Sequence, residues 1–199
     1  MSRIIGGDAK SLALAGAPGG TRPTSDRVRE SLFGVLQSRG WLAEGDSVLD
    51  LYCGTGALAL EAVSRGAGRA TMVDAASAAV SVARKNCDKL QTALAKNLEK
   101  PRAVSLAVTQ SKVAPWLRKS PVRNFDLVFA DPPYELTDAE LWLQLAPLEN
   151  LVAKNGALVV ERPRRRETAP NPDWLVEEFV KTWGDTQVAG YRLRSAGPT

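Results

Sequence analysis

Val48-Leu49-Asp50-Leu51-Tyr52-Cys53-Gly54-Thr55-Gly56-Ala57-Leu58-Ala59 is the stretch on which the reading of this 199-residue chain turns. It is a β-rich apolar run that enters a glycine turn and leaves it as a helix. Glycines let the backbone bend sharply and approach a ligand closely, and the start of the following helix offers unpaired N–H groups. Outward from this point the same alternation recurs. Apolar runs predict strands over 47–51, 70–74, 103–108, 125–130 and 157–161, with helices over 57–65, 77–98, 113–118 and 138–153 between them. Short strands alternating with helical patterns specify an α/β fold, with a parallel sheet covered by helices on both faces. The C-terminal runs 175–183 and 187–193, joined across Gly184-Asp185, read as an antiparallel hairpin.

Ahead of this region lies a different kind of sequence. Residues 1 to 40 carry six basic side chains (Arg3, Lys10, Arg22, Arg27, Arg29, Arg39) against three acids, which is most of the chain's net charge of +4. Residues 12 to 20 are rich in Gly, Ala and Pro and read as a loop or mobile arm. A helix capped by Thr24 or Ser25 should follow and end near Gly40. Val28, Leu32, Val35 and Leu36 would then face the core, leaving Arg22, Arg27 and Arg29 outward. The expected division is therefore a basic extension over 1–40 and a catalytic domain over 41–199.

Composition removes several classes of chemistry. With no histidine, Ser-His and Cys-His nucleophilic catalysis are excluded. Two cysteines, Cys53 and Cys87, make neither a disulfide framework nor a zinc site, and no metal is expected. No apolar run reaches the roughly 18 to 20 residues a membrane span needs, and the N-terminus lacks a signal peptide's apolar core. A cytoplasmic, monomeric protein is expected.

The glycine turn by itself also fits a dinucleotide site, or a tight turn with no ligand at all. Asp74 stands 18 residues after Gly56, at the end of the next strand, where an acid would accept ribose hydroxyls. Asp50 tips the balance. An acid four positions before the first glycine suits a ligand carrying an ammonium and a sulfonium, and disfavours a pyrophosphate. The arrangement resembles motif I of class I methyltransferases, with Asp74 at motif II.

The apolar run Phe125 to Ala130 stops at Asp131-Pro132-Pro133-Tyr134. An Asp-Pro turn with a packed aromatic would explain this structurally. Each part also serves methylation of an aromatic amine, whose lone pair is delocalised into the ring. The Asp131 carboxylate and the Pro132 carbonyl can each accept one N–H, localising that lone pair. Two prolines fix the backbone and remove competing donors, and Tyr134 offers a face for a base to stack on. Such chemistry works by positioning and local electrostatics and requires no histidine.

Taken together with Arg3-Ile-Ile-Gly6-Gly7, the segment Thr21-Arg22-Pro23-Thr24-Ser25-Asp26-Arg27-Val28-Arg29-Glu30-Ser31-Leu32-Phe33, Glu61-Ala62, Ser64-Arg65-Gly66-Ala67 and Gly190-Tyr191-Arg192-Leu193, the sequence resembles the RsmD-type small-subunit ribosomal RNA guanine-N2 methyltransferases. The resemblance implies a Rossmann-like, mostly parallel seven-stranded sheet. It implies S-adenosylmethionine as donor, S-adenosylhomocysteine as product, and one guanine of 16S rRNA as acceptor, in the small subunit or a late assembly intermediate. It assigns Asp131, Pro132 and Tyr134 to catalysis. Donor contacts fall on Asp50, Tyr52, Cys53, Gly54, Thr55, Gly56, Asp74, Ala75, Gln110, Ser111 and Asp131, and RNA contacts on Arg3, Arg22, Thr24, Arg27 and Arg29. Ala76 replaces a second acid common in relatives, and Thr109-Gln110-Ser111 offers the donor's adenine no carboxylate. Asn86 matches a family asparagine and reads as structural. Arg162, Arg164, Arg165 and Arg166 form a basic cluster that would touch RNA phosphates or simply be solvated.

Other readings share these motifs. Adenine-N6 or cytosine-N4 methylation of DNA or RNA would use the same tetrad, whereas protein-glutamine methyltransferases typically place Asn where Asp131 stands. A non-catalytic RNA-binding assembly factor would have no use for a full donor site.

Overall fold

The computed structural model describes residues 2–16, 26–97, 101–120, 124–164 and 170–194. Helix α1 (Asp26–Ser38) precedes strand β1 (Ser47–Leu51), α2 (Ala57–Ser64), β2 (Arg69–Asp74), α3 (Ser77–Ala95) and β3 (Ser105–Gln110). Then come α4 (Val113–Lys119), β4 (Phe125–Ala130), α5 (Asp138–Leu145), a 3-10 turn (Ala146–Asn150), β5 (Val152–Pro163), β6 (Leu175–Trp183) and β7 (Thr186–Leu193). The seven strands form one sheet in the order β3-β2-β1-β4-β5-β7-β6. Strands β1 to β5 pair in parallel, and β7 runs antiparallel to both β5 and β6.

Alternation along each strand sorts the core into two layers. Val48, Met72, Leu127 and Phe129 point toward α1, α2 and α3, while Leu49, Leu51, Val73, Val128 and Ala130 point toward α4 and α5. Every residue of β1 is buried, as a central parallel strand requires. The chain builds outward from β1 through β2 to β3 and then returns to place β4 on the other side of β1. Between β1 and β4 the loops at the strands' carboxyl ends diverge, which opens a crevice where ligands of such sheets bind.

Boundaries differ from expectation where a local cause intervenes. The helix predicted over 138–153 stops at Leu145, because Pro147 lacks an N–H and clashes with the preceding turn. The residues after it enter a 3-10 turn, and β5 starts at Val152 rather than 157. Strand β3 is displaced two residues from 103–108, pairing Ser105 with Arg69 and Gln110 with Asp74. Helix α3 ends at Ala95, and Leu98, like the proposed caps Thr24 and Ser25, lies outside the described residues.

The largest correction concerns the N-terminal region. Residues 2–16 dock on the molecule: Arg3 bridges Ala13, and Ile4, Ala9 and Leu14 are buried in the same cluster as Val48 and Leu60. Arg29, expected to face outward, is 1% exposed. Its spacing explains this, since positions 29, 32, 33 and 36 form one helical stripe with Leu32, Phe33 and Leu36. Inside, its guanidinium binds the Arg3 carbonyl, Asp26 at 2.9 Å and Ser2 at 3.2 Å, and lies 3.8 Å from Glu61. Glu61 on α2 is itself fully buried and accepts the backbone N–H groups of Ile5 at 2.7 Å and Gly6 at 2.9 Å, and Arg65 Nε at 2.7 Å. One turn on, Ser64 Oγ accepts from Ala9 N–H and donates to the Gly6 carbonyl. Gly7 has φ +77°, and a Cβ there would meet the Ser64 carbonyl oxygen at 1.9 Å, so only glycine fits.

Candidate active site

The turn after β1 brings Asp50 and Asp74 together by backbone geometry. Tyr52, Gly54 and Gly56 all have positive φ (58°, 54° and 77°), which folds the chain back so that α2 begins directly above β1. A Cβ at Gly56 would meet Met72 Sδ at 2.9 Å, whereas one at Gly54 would meet nothing within 4 Å. Gly56 is thus needed for packing, and Gly54 leaves open space at the crevice. Tyr52, a non-glycine residue in the left-handed region, is held there by its hydroxyl, which donates to Gln144 Oε1 at 3.1 Å. Burial pushes its phenol up to about 12.

Asp50 points toward α2 because it shares a strand face with Val48. Its Oδ2 accepts the N–H of Ala59, in the first turn of α2, at 3.1 Å, and the residue is 1% exposed. Burial raises its carboxyl to about 7; the Ala59 bond opposes this and the Asp74 carboxylate adds to it. Asp74 spans the turn, accepting Gly54 N–H at 2.9 Å and Ala76 N–H at 2.8 Å. Each carboxylate oxygen retains a second lone pair for a hydroxyl donor. Ser111 N–H donates to the Asp74 carbonyl at 2.9 Å, and Gln110 Nε2 reaches the Ala75 carbonyl at 3.4 Å, so both line the exposed rim beside Ala75. Cys53 is buried and its thiol is pushed far up by burial and by Asp50 and Asp74, which makes it inert as a nucleophile. The Thr55 carbonyl accepts from Asn86 Nδ2 at 3.0 Å.

Across the crevice, Asp131 ends β4 with its N–H directed at the Leu51 carbonyl at 3.4 Å. Pro132 is buried, Pro133 exposed, and Tyr134 is 48% exposed at the rim. The loop beyond is fixed at several points. Leu136 N–H donates to the Pro133 carbonyl at 3.1 Å, and Thr137 with Glu140 forms a capping box that starts α5. Arg162 is not part of a solvated cluster: it turns inward, binding the Leu136 carbonyl and pairing with Asp138 at 2.9 Å. Arg164 is exposed, and Arg165 and Arg166 lie outside the described residues.

Asp131 titrates well above the ordinary carboxylate range. Burial is the main cause, followed by Glu161 and Asp50, with Arg162 opposing. Glu161, buried at the end of β5, was not singled out from the sequence, although an acid closing the apolar run Ala157 to Val160 was a signal of its place. Asp50, Asp74, Asp131 and Glu161 thus bring acids to the carboxyl ends of β1, β2, β4 and β5. Two of them are pushed toward the neutral form, so the crevice favours a cationic ligand, whose charge would restore their ionised state.

Comparison with known proteins agrees with this geometry. The family model described as conserved hypothetical protein 95 matches residues 2–192. The chain belongs to this family, the RsmD family. Ribosomal RNA small subunit methyltransferase D of Escherichia coli K12 is 33% identical, over 80% of this chain and 73% of that protein. Its Haemophilus influenzae counterpart is 31% identical, over 87% of this chain and 82% of that protein. The solved structure of Escherichia coli yhhF superposes with a TM-score of 0.76 at 29% identity, covering 98% of each chain. The expected class I methyltransferase sheet is the one observed, and the RsmD-family chain is a methyltransferase.

Proposed function

We propose that this protein transfers a methyl group from S-adenosylmethionine to the exocyclic N2 amine of a guanine in 16S ribosomal RNA. The observation that carries the reading is the placement of Asp131-Pro132-Pro133-Tyr134 across the β1/β4 crevice from the Gly54–Gly56 turn. Asp50, Asp74 and the open face of Gly54 fit a donor with two positive charges and a ribose. When bound, that donor supplies an electrophilic methyl group on a sulfonium. The chain's residues do the remainder. Asp131 and the Pro132 carbonyl accept the two N–H groups of the amine, Tyr134 holds the base by stacking, and Arg162 keeps the loop in place through Leu136 and Asp138. After transfer the surplus proton leaves to Asp131 or to solvent. For the acceptor, the names borne by the relatives support small-subunit rRNA, and the basic N-terminal residues support a polyanion. Arg3, with a side chain 65% exposed, and the exposed Arg27 are the proposed phosphate contacts; Arg22 and Thr24 lie outside the described residues. Arg29 instead anchors the segment that carries Arg3.

Incubation with labelled donor and naked 16S rRNA, undermodified small subunits or duplex DNA, followed by nucleoside analysis, tests this directly. N2-methylguanosine from ribosomal RNA is expected, and N6-methyladenine from DNA would replace the proposal.

Donor binding should also depend on pH. In the free protein Asp50 holds its proton up to about pH 7, and a cationic ligand favours the ionised form. Affinity for S-adenosylmethionine should therefore weaken by up to about tenfold per pH unit as pH falls below about 7. Because the folded value lies above the unfolded 3.8, ionisation of Asp50 costs folding stability. The stability of the protonated carboxyl is fully present below about pH 3.8 and is lost as pH rises through about 7, so the free protein gains from acidity where the complex loses. Calorimetric titration across this range checks the point, with Asp50→Asn flattening the profile. A flat wild-type profile would mean that Asp50 does not sense the ligand's charge.

A further inference from the structure

Asn86, on α3, is wholly buried, and its amide is shared between two loops. Oδ1 accepts the backbone N–H of Ala15 at 2.8 Å, while Nδ2 donates to the Ala15 carbonyl at 3.2 Å and the Thr55 carbonyl at 3.0 Å. Thr55 stands between the two glycines of the donor turn. Ala15 lies at the end of the docked N-terminal segment, just before the stretch that holds Arg22 and Thr24. Leu14, 1% exposed, seats that segment in the core, and Lys89 on α3 donates to the Ala13 carbonyl at 3.3 Å. One buried amide therefore ties the donor turn to the docked segment that carries Arg3. Asn86 is 0% exposed, so separating either loop from it leaves buried polar groups unpaired.

We infer that Asn86 is a positioning residue that couples occupancy of the donor turn to RNA binding by the N-terminal segment. The inference rests on the donor and RNA roles proposed above. A ligand that fixes the Gly54–Gly56 turn fixes the Thr55 carbonyl, and through Asn86 it fixes Ala15. RNA that engages Arg3 then meets a segment already held in its docked position, so RNA binds more tightly, and by linkage the donor gains the same factor from RNA.

The test measures S-adenosylhomocysteine affinity of the full chain with and without 16S rRNA. Mutual tightening of at least about fivefold is expected in the wild type. Asn86→Leu, of similar size but without hydrogen bonds, should reduce it to within about twofold while each ligand alone still binds. A purely structural asparagine would lower the melting temperature and both affinities while leaving that ratio intact. Such a result overturns the inference, as does a wild-type ratio near one. If Asn86→Leu does not fold, amide exchange at Ala15 in the wild type decides. S-adenosylhomocysteine should slow it by more than about tenfold, and unchanged exchange overturns the coupling. Failure of S-adenosylhomocysteine to bind at all is a separate outcome, which removes the donor reading and the coupling with it.

Discussion

Asp131→Ala should lower the rate of methyl transfer by at least about 10³-fold while leaving donor affinity within a fewfold of the wild type. The asymmetry follows from where the carboxylate sits. Asp131 follows β4 across the crevice from the glycine turn, which is shaped by Asp74, accepting Gly54 N–H, and by Asp50, accepting Ala59 N–H. In the proposed reaction Asp131 would accept from the amine as its lone pair localises, an interaction made fully only in the transition state, so Asp131→Ala should act on the rate. It also removes a like charge from beside Asp50, which slightly favours an ionised, donor-binding crevice. Single-turnover methylation and calorimetry with S-adenosylhomocysteine separate the two quantities. Collapse of donor binding together with the rate would place Asp131 in the donor site instead.

Glu61→Ala should destabilise the fold by about 3 to 5 kcal/mol, a drop of roughly 10 °C in melting temperature for a chain of this size. The substitution leaves the N–H groups of Ile5 and Gly6 without their acceptor. It also strips a fully buried carboxylate from beside Arg29, which is 1% exposed. Asp26 still pairs with Arg29, which keeps the loss from being larger. Residues 2–16 should exchange their amide protons faster in the variant, since their anchor on α2 is gone. A melting temperature within about 2 °C of the wild type would show that the hydrophobic seating of Ile4 and Leu14 alone holds the segment.

The elements that proved legible in the sequence are those whose signals are local. The β1 strand, its glycine turn and α2 follow from twelve adjacent residues, and β4 with its tetrad from ten. Period and turn chemistry suffice there, and the Gly184 hairpin is of the same kind. The arrangements that escaped depend on partners far apart in the chain. Arg29 looks like one more basic residue of an outward face until its place on the Leu32-Phe33-Leu36 stripe and its buried acid are known. Arg162 reads as a member of a basic run, yet a carbonyl and a carboxylate 26 and 24 residues earlier turn it inward. Asn86 gives no hint that Ala15 and Thr55 meet at its amide. Pro147, by contrast, is a local breaker, and a helix expected to run to 153 passes over its signal.

The docked N-terminal segment also imposes an order of events on biosynthesis. The side-chain acceptors of its Ile5, Gly6, Ala9 and Ala15 N–H groups lie 55 to 71 positions later in the chain, on α2 and α3. These residues must therefore wait for those contacts until α2 and α3 have been made and packed, because contacts of such long sequence separation close late. Any sequence joined ahead of Ser2 would have to tolerate that delayed insertion.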